Sequence, residues 1–281
     1  MHVFHIFNLD YKYVTICLSF FILTSIFYFI KKNTFNYNFA IGLFLLSIFT
    51  FLVVLLRTSY AIAFILLGFN ILLNSKSKYK DIYYIILVII GSCIHVMCIL
   101  YLLYFIPYKV SKRKLIKLGY IYFIISVFSI SFIATGLLPT LMEYLGLTQK
   151  AQIFLADTDQ ETNKVIQYIL AFLRLLSVII LPIGLNLILK KRTYIYSIDK
   201  IIITFNWFSL FIAPLLYISH DLYRLLYVIV IMNFCMASHY MKYDKCYYYT
   251  LFCSINIGYW FIWRPYFKEV FLDIFTNNFI F

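Results

Sequence analysis

The chain has 281 residues, 64% of them hydrophobic and only 12% charged, with 24 Lys and Arg against 11 Asp and Glu. Soluble domains carry about 25% charged residues, and one of this size could not hide so much apolar surface. The net charge of +13 does not point to nucleic acid, because the lysines and arginines fall mostly in short connections between apolar runs, where membrane topology is encoded.

In chain order, the apolar runs predict membrane-spanning helices near 13–30, 39–56, 58–73, 82–106, 117–138, 165–189, 201–219, 222–240 and 247–263. Each run is about 17–25 residues long and lacks the polar alternation of a barrel strand. The expected fold is an all-α polytopic integral membrane protein of about nine or ten spanning or half-spanning helices, forming one domain over 1–281. The first run has no basic residues before it and no small-residue cleavage site after it, so it reads as a retained helix and not a signal peptide. The six cysteines form no CxxC pair and lie mostly in apolar runs; they read as buried small hydrophobes.

The one long connection, 139–164, carries Glu143, Asp157, Asp159 and Glu161 against Lys150 and Lys164, and its acidity suits the extracytoplasmic side. The basic loops 107–117 and 190–200 can then both lie in the cytoplasm. Loop 74–81, with Lys76, Lys78 and Lys80, joins them only if the run 82–106 breaks, near Gly91-Ser92, and crosses as two half-helices. Half-helices at membrane depth need burial in protein or a cavity to line. The break would bring Arg57 and His95 together on the outer side.

Polar residues inside or at the ends of the spans are few: Arg57, His95, Arg174, Asn186, His220, Asp221, Arg224, Asn233, His239, Asn256 and Arg264. A charge at mid-bilayer costs about 2.5–3.5 kcal/mol or more and persists by default because it binds or pairs with something. Arg57 opens a helix reading RTSYAIAFILLGFNILL. Its planar fork suits bidentate phosphate contact, and the free N–H groups of the helix start would add to it. The alternative is an arginine snorkelling to the interface. His95 has the chemistry of a general base near neutral pH; the alternative is an imidazole bonded to a neighbouring carbonyl. Arg224 would be a second anion clamp, or it pairs with Asp221 one helical turn earlier. Arg174, His220 and Asp221 are candidates to line the same cavity, and Arg174 could instead pair with an acid of the 139–164 loop. Arg264, among aromatics, reads as an interface anchor. No metal-binding motif and no P-loop is present, and no cofactor is expected.

The stretch Arg57-Thr-Ser-Tyr-Ala61, the loop NSKSKYK, the pair Ile94-His95 and Pro107 together resemble the core of the EpsG family, Wzy-like membrane proteins associated with polymerising bacterial surface polysaccharides. Arg224, in DLYRLLYV, matches an arginine that the family carries at the start of a late helix. The family's usual Gln after the first arginine is Thr58 here, and the aromatic before the histidine is Ile94. An early motif of the form R-x-x-x-G-x-D-x-x-x-Y is missing, and the chain is expected to begin downstream of it. The resemblance implies metal-independent, inverting transfer of a glycan from undecaprenyl diphosphate to another lipid-linked repeat unit of O-antigen, capsule or exopolysaccharide. His95 would take the acceptor proton, and Arg57 and Arg224 would hold the departing diphosphate. It implies the bacterial inner membrane as location, with a flippase and a chain-length regulator as partners. The rival readings are a transporter or flippase of lipid-linked sugars, against which the lack of internal repeats counts, and a membrane acyltransferase, for which His95 has no neighbouring acid or nucleophile.

Overall fold

The computed structural model describes residues 11–49, 52, 55–109, 161–189, 197–211, 213, 216 and 220–262. Their regular structure is all helical: α1 (Tyr11–Asn33), α2 (Tyr37–Ser47), α3 (Leu56–Asn74), α4 (Lys80–Ile94), a 3-10 helix (Val96–Tyr104), α5 (Phe105–Lys109), α6 (Glu161–Leu189), α7 (Ser197–Phe208), short 3-10 turns at Ser209–Phe211 and His220–Leu225, α8 (Leu226–Ser238) and α9 (Asp244–Ile262). Three of these segments are long and apolar enough to cross a membrane, Thr15–Asn33, Leu56–Asn74 and Ile169–Leu189, and three shorter ones are apolar. The expected nine or ten spans are therefore not confirmed among the described residues. The run 117–138, most of the 139–164 loop and Arg264 lie outside them. Helix α6 starts at Glu161, inside the stretch expected to be loop. Helix α2 ends at Ser47; Phe49 and Leu52 beyond it are again helical, and part of the run expected to reach 56 lies outside the described residues.

The run 82–106 does break, but at His95 and not at Gly91-Ser92. Helix α4 continues through Gly91 and Ser92 because both fit a helix there. A Cβ on Gly91 would lie 3.2 Å from the Ala61 carbonyl and 3.1 Å from Ile65 Cδ1, so the glycine lets α3 and α4 touch. Ser92 Oγ donates back to Ile89 O at 2.7 Å within its own turn. His95 then adopts an extended backbone, φ −138 and ψ 103, and the chain returns as a 3-10 helix.

The return is complete. Tyr108 OH donates to Leu72 O at 3.0 Å, Lys80 Nζ to Tyr108 OH at 2.8 Å, and Lys109 pairs with Asp81 at 2.5 Å. Residues 80–109 are a hairpin with His95 at its tip. At ~1.5 Å rise per residue α4 reaches roughly 22 Å; at ~2.0 Å the 3-10 helix reaches roughly 18 Å, and α5 adds several more. The stretched 3-10 geometry thus matches the two legs in length; both are somewhat longer than the roughly 12 residues expected of each half, and both stay short of the ~30 Å of a hydrocarbon core.

Helices packed in lipid gain little from the hydrophobic effect and rely on close contact and interhelical hydrogen bonds. Phe69 of α3 packs against the rings of Tyr84, Tyr101, Tyr104 and Phe205, tying the hairpin to α3 and α7. Asn206 and Asn233 exchange amide bonds of 2.6 and 3.0 Å, and Asn233 Nδ2 also donates to Val178 O. This buried knot joins α6, α7 and α8.

The bundle has two unlike ends. Asn33, Asn70 and Asn74 bond to one another where α1 and α3 finish, and His239 at the end of α8 meets Asp199 at the start of α7 there. That end carries Lys31, Lys32, Lys76, Lys78, Lys80, Lys109, Lys200, Lys242 and Lys245. The other end gathers the start of α3, the tip of the hairpin and the turn before α8, with Arg57, His95 and Arg224.

Gly91→Val should wedge α3 and α4 apart and cost about 1–3 kcal/mol, seen as a lower thermal midpoint of the detergent-purified protein. Gly42→Ala, whose Cβ would meet nothing within 4 Å, should not lower it.

Candidate functional site

Arg57 is the second residue of α3, whose cap position Leu55 offers no side-chain bond to the first turn. The N–H groups there are left without a side-chain acceptor, and the positive end of the helix dipole is no natural place for a guanidinium. The neighbouring helix resolves this. Arg57 Nε donates to Ile94 O at 2.8 Å, the last carbonyl of α4, where the dipole is negative and favours a cation. The arginine therefore closes the C-terminus of α4 across the helix pair. One of its five N–H donors is spent in this way, and the Nη groups carry the rest.

His95 follows immediately. Its N–H donates to Gly91 O at 2.9 Å and its carbonyl accepts from Cys98 N at 2.8 Å, so its backbone ends one helix and starts the next. The half-buried imidazole stands at the tip of the hairpin.

Arg224 is the penultimate residue of the 3-10 turn His220–Leu225. Two tyrosines fix that turn. Tyr101 OH donates to Leu225 O at 2.7 Å, and Tyr84 OH donates to Tyr101 O at 2.6 Å. The 3-10 leg of the hairpin thereby holds the peptide next to Arg224.

The consequence is one open cleft of about 540 Å³ lined by Leu55, Leu56, Arg57, Thr58, His95, Val96, Met97 and Arg224. A small cavity of about 10 Å³ behind it touches Thr58, Ile62, His95, Met97, Cys98, Tyr101, Arg224 and Leu225. The three residues singled out from the sequence, far apart along the chain, share a wall. Cations and uncapped N–H groups suit an anion, the imidazole can accept or give a proton, and Leu55, Leu56, Val96 and Met97 add apolar surface. Among the described residues no group of three or more His, Cys, Asp or Glu side chains is placed to hold a metal ion.

Arg174 is not among the residues lining these cavities. It is 2% exposed, with its guanidinium carbon 4.5 Å from the ring centroid of Tyr223, so it packs behind the turn that carries Arg224. For His220 and Asp221 only the backbone, in that same turn, is described; their expected place along the cavity and the Asp221–Arg224 pairing fall outside the described side chains. The acids of the 139–164 loop proposed as partners of Arg174 do so as well.

The role of Tyr101 was missed in the sequence, although a signal exists. Cys98, Tyr101 and Tyr104 are buried at a spacing of three, the period of a 3-10 helix, whose residues i and i+3 eclipse.

A family model, the EpsG family, matches residues 1–272. The chain belongs to the EpsG family. The resemblance carried by the residues around Arg57 and His95 is thus borne out over nearly the whole chain, and the family suggests a polysaccharide-polymerase-like membrane protein. No curated protein and no solved structure matches the chain.

Tyr101→Phe should remove the bond to Leu225 O at a cost of about 1–2 kcal/mol. Hydrogen–deuterium exchange should then quicken in the backbone of 220–225 while that of α9 stays as it was; unchanged exchange at 220–225 would show that the turn is held by other means.

Proposed function

We propose that this EpsG-family protein polymerises lipid-linked oligosaccharide repeat units of a bacterial surface polysaccharide, be it O-antigen, capsule or exopolysaccharide. The observation that carries the reading is the cleft shared by Arg57, His95 and Arg224. The donor is a glycan on undecaprenyl diphosphate, and the acceptor is the terminal sugar of a second lipid-linked unit. His95 removes the proton of the attacking hydroxyl. The hydroxyl oxygen bonds to the anomeric carbon from the face opposite the diphosphate, the bond to the diphosphate oxygen breaks, and the configuration inverts. Arg57, Arg224 and the N–H groups that open α3 stabilise the negative charge gathering on the leaving diphosphate, as fixed donors do for developing charge elsewhere. No metal is needed for that neutralisation in this scheme. The apolar flank, where Val96 is 71% exposed, gives the polyprenyl chain a path to lipid.

Topology supports the reading. The lysines gather at the end away from the cleft, and basic ends face the cytoplasm. In a multi-pass protein of the bacterial inner membrane the cleft then opens outward, where flipped repeat units arrive. The partners in this scheme are the flippase that delivers those units and a chain-length regulator.

Arg57→Ala and Arg224→Ala should each lower polymerisation by about 100-fold or more, and His95→Ala by about 100- to 10,000-fold. In a deletion strain complemented with each variant, the glycan ladder should collapse to single repeat units, and lipid-linked units should build up on the outer face. A normal ladder with Arg57→Ala and Arg57→Lys would remove the role given to that residue. Accumulation on the inner face would favour the transporter reading instead.

A further inference from the structure

A second cavity lies at the Lys-rich end, away from the cleft. It holds about 310 Å³, and its lining includes the polar side chains of Lys32, Asn74 and His239 and the apolar ones of Phe35, Leu73 and Ile201. Three helices finish around it, α1, α3 and α8, and helix C-termini ordinarily favour cations. Here several carbonyls near those ends already have donors. Asn33 Nδ2 donates to Phe29 O, Thr34 Oγ1 to Ile30 O, and Ser75 N to Ile71 O; His239 N and Tyr240 N donate to Met236 O and Ala237 O.

The nearest carboxylate is withdrawn as well. Asp199 is fully buried, with one oxygen 2.7 Å from His239 Nδ1 and the other accepting from Tyr240 OH. His239 Nε2 lies 3.1 Å from Asn33 O. A carbonyl can only accept, so Nε2 carries a proton, and a second proton lies between Nδ1 and the carboxylate. The pair is neutral as a unit whichever partner holds that proton. The charge left on the cavity wall is the ammonium of Lys32, with Lys31, Lys76 and Lys200 close by in sequence to lining residues.

We propose that this cavity binds the phosphate of a net-anionic glycerophospholipid from the leaflet at the Lys-rich end. The ammonium of Lys32 meets the phosphate, and Phe35, Leu73 and Ile201 meet the glycerol and the first acyl carbons. Basic pockets between helices at the cytoplasmic side recognise anionic headgroups in this way. The assignment depends on the Lys-rich end facing such a leaflet and not on the chemistry of the cleft.

The full-length protein in mild detergent, titrated with short-chain phosphatidylglycerol and read by native mass spectrometry, should bind it in preference to phosphatidylcholine of equal chain length. Lys32→Gln should weaken that binding about five-fold, whereas Lys78→Gln, on the same face but outside the cavity, should not. Ile201→Trp, which fills the apolar side, should also weaken it in protein that keeps its elution profile. Equal loss in Lys32→Gln and Lys78→Gln, or equal binding of the two lipids, would overturn the site. Glycerol 3-phosphate competing at the affinity of the lipid would overturn the lipid as its source in favour of a soluble phosphate ester.

Discussion

One hydrogen bond, from Arg57 Nε to the carbonyl of Ile94, sets much of the rest. A chain that turns back at membrane depth exposes the carbonyls of the helix it leaves, and lipid offers them no partner. The turn at His95 is tolerable because one of those carbonyls is met by a guanidinium and the next, that of His95 itself, starts the 3-10 helix. A hydrogen bond with a charged donor is worth about 1.5–3 kcal/mol, more than the small net gain of a neutral one. The bond ties three facts together: α4 ends where it does, residues 80–109 form a hairpin, and the imidazole stands beside the start of α3. It also explains why a cation occupies the positive end of α3, since the relevant dipole is that of α4.

The same bond gives a reason for arginine in preference to lysine. A lysine has one nitrogen, and if that nitrogen caps Ile94 it is committed to the fold. A guanidinium can give Nε to the carbonyl and still present its planar Nη edge to an anion. Under the proposed function, structural and chemical duty would fall on different atoms of one side chain. At the other end of the bundle the Asn33–Asn70–Asn74 contacts and the Asp199–His239 pair join the helices, and most of the charge there is lysine, with Asp81 and Asp244 beside it. Lysines suit a diffuse interfacial field; arginines suit a site where direction matters.

Helix positions were largely legible from hydropathy, because apolar length is what lipid selects. Helices α1, α3, α6 and α9 fall within a few residues of their predicted runs. What hydropathy could not show was where a run folds on itself. Residues 82–106 are apolar throughout, and only the lysines at both ends hinted at a return. The break was expected near Gly91-Ser92 and falls at His95, three residues on: Gly91 serves close packing with Ala61 and Ile65, and the turn follows the carbonyl that Arg57 can reach. Arg57, His95 and Arg224, which the structure brings to one cleft, stood out in the sequence because charge and imidazole are rare in such a chain. Arg174 stood out by the same logic, but rarity does not tell a side chain facing the cleft from one packed on Tyr223, where the structure places it. The contacts of Tyr101 with Leu225 and of Asp199 with His239 join residues 124 and 40 positions apart, and nothing local announces them.

Gathering cations in one cleft has an energetic consequence of its own. Arg57 and Arg224 share a wall, and Arg174 lies behind it against Tyr223. Like charges repel more strongly in a low effective dielectric than in water, so bringing these groups together works against the empty cleft. An anion arriving between them makes its own hydrogen bonds and also removes part of that repulsion. In the proposed glycosyl transfer a diphosphate would gain most when its charge is greatest, as the bond to the sugar breaks. Under that proposal the arrangement would favour the charge that develops over the charge already present, which is the condition under which binding energy accelerates a reaction. The tyrosine contact at Leu225 would matter for the same reason: a clamp that could swing apart would relieve its own repulsion in the empty state and leave less for a leaving group to relieve.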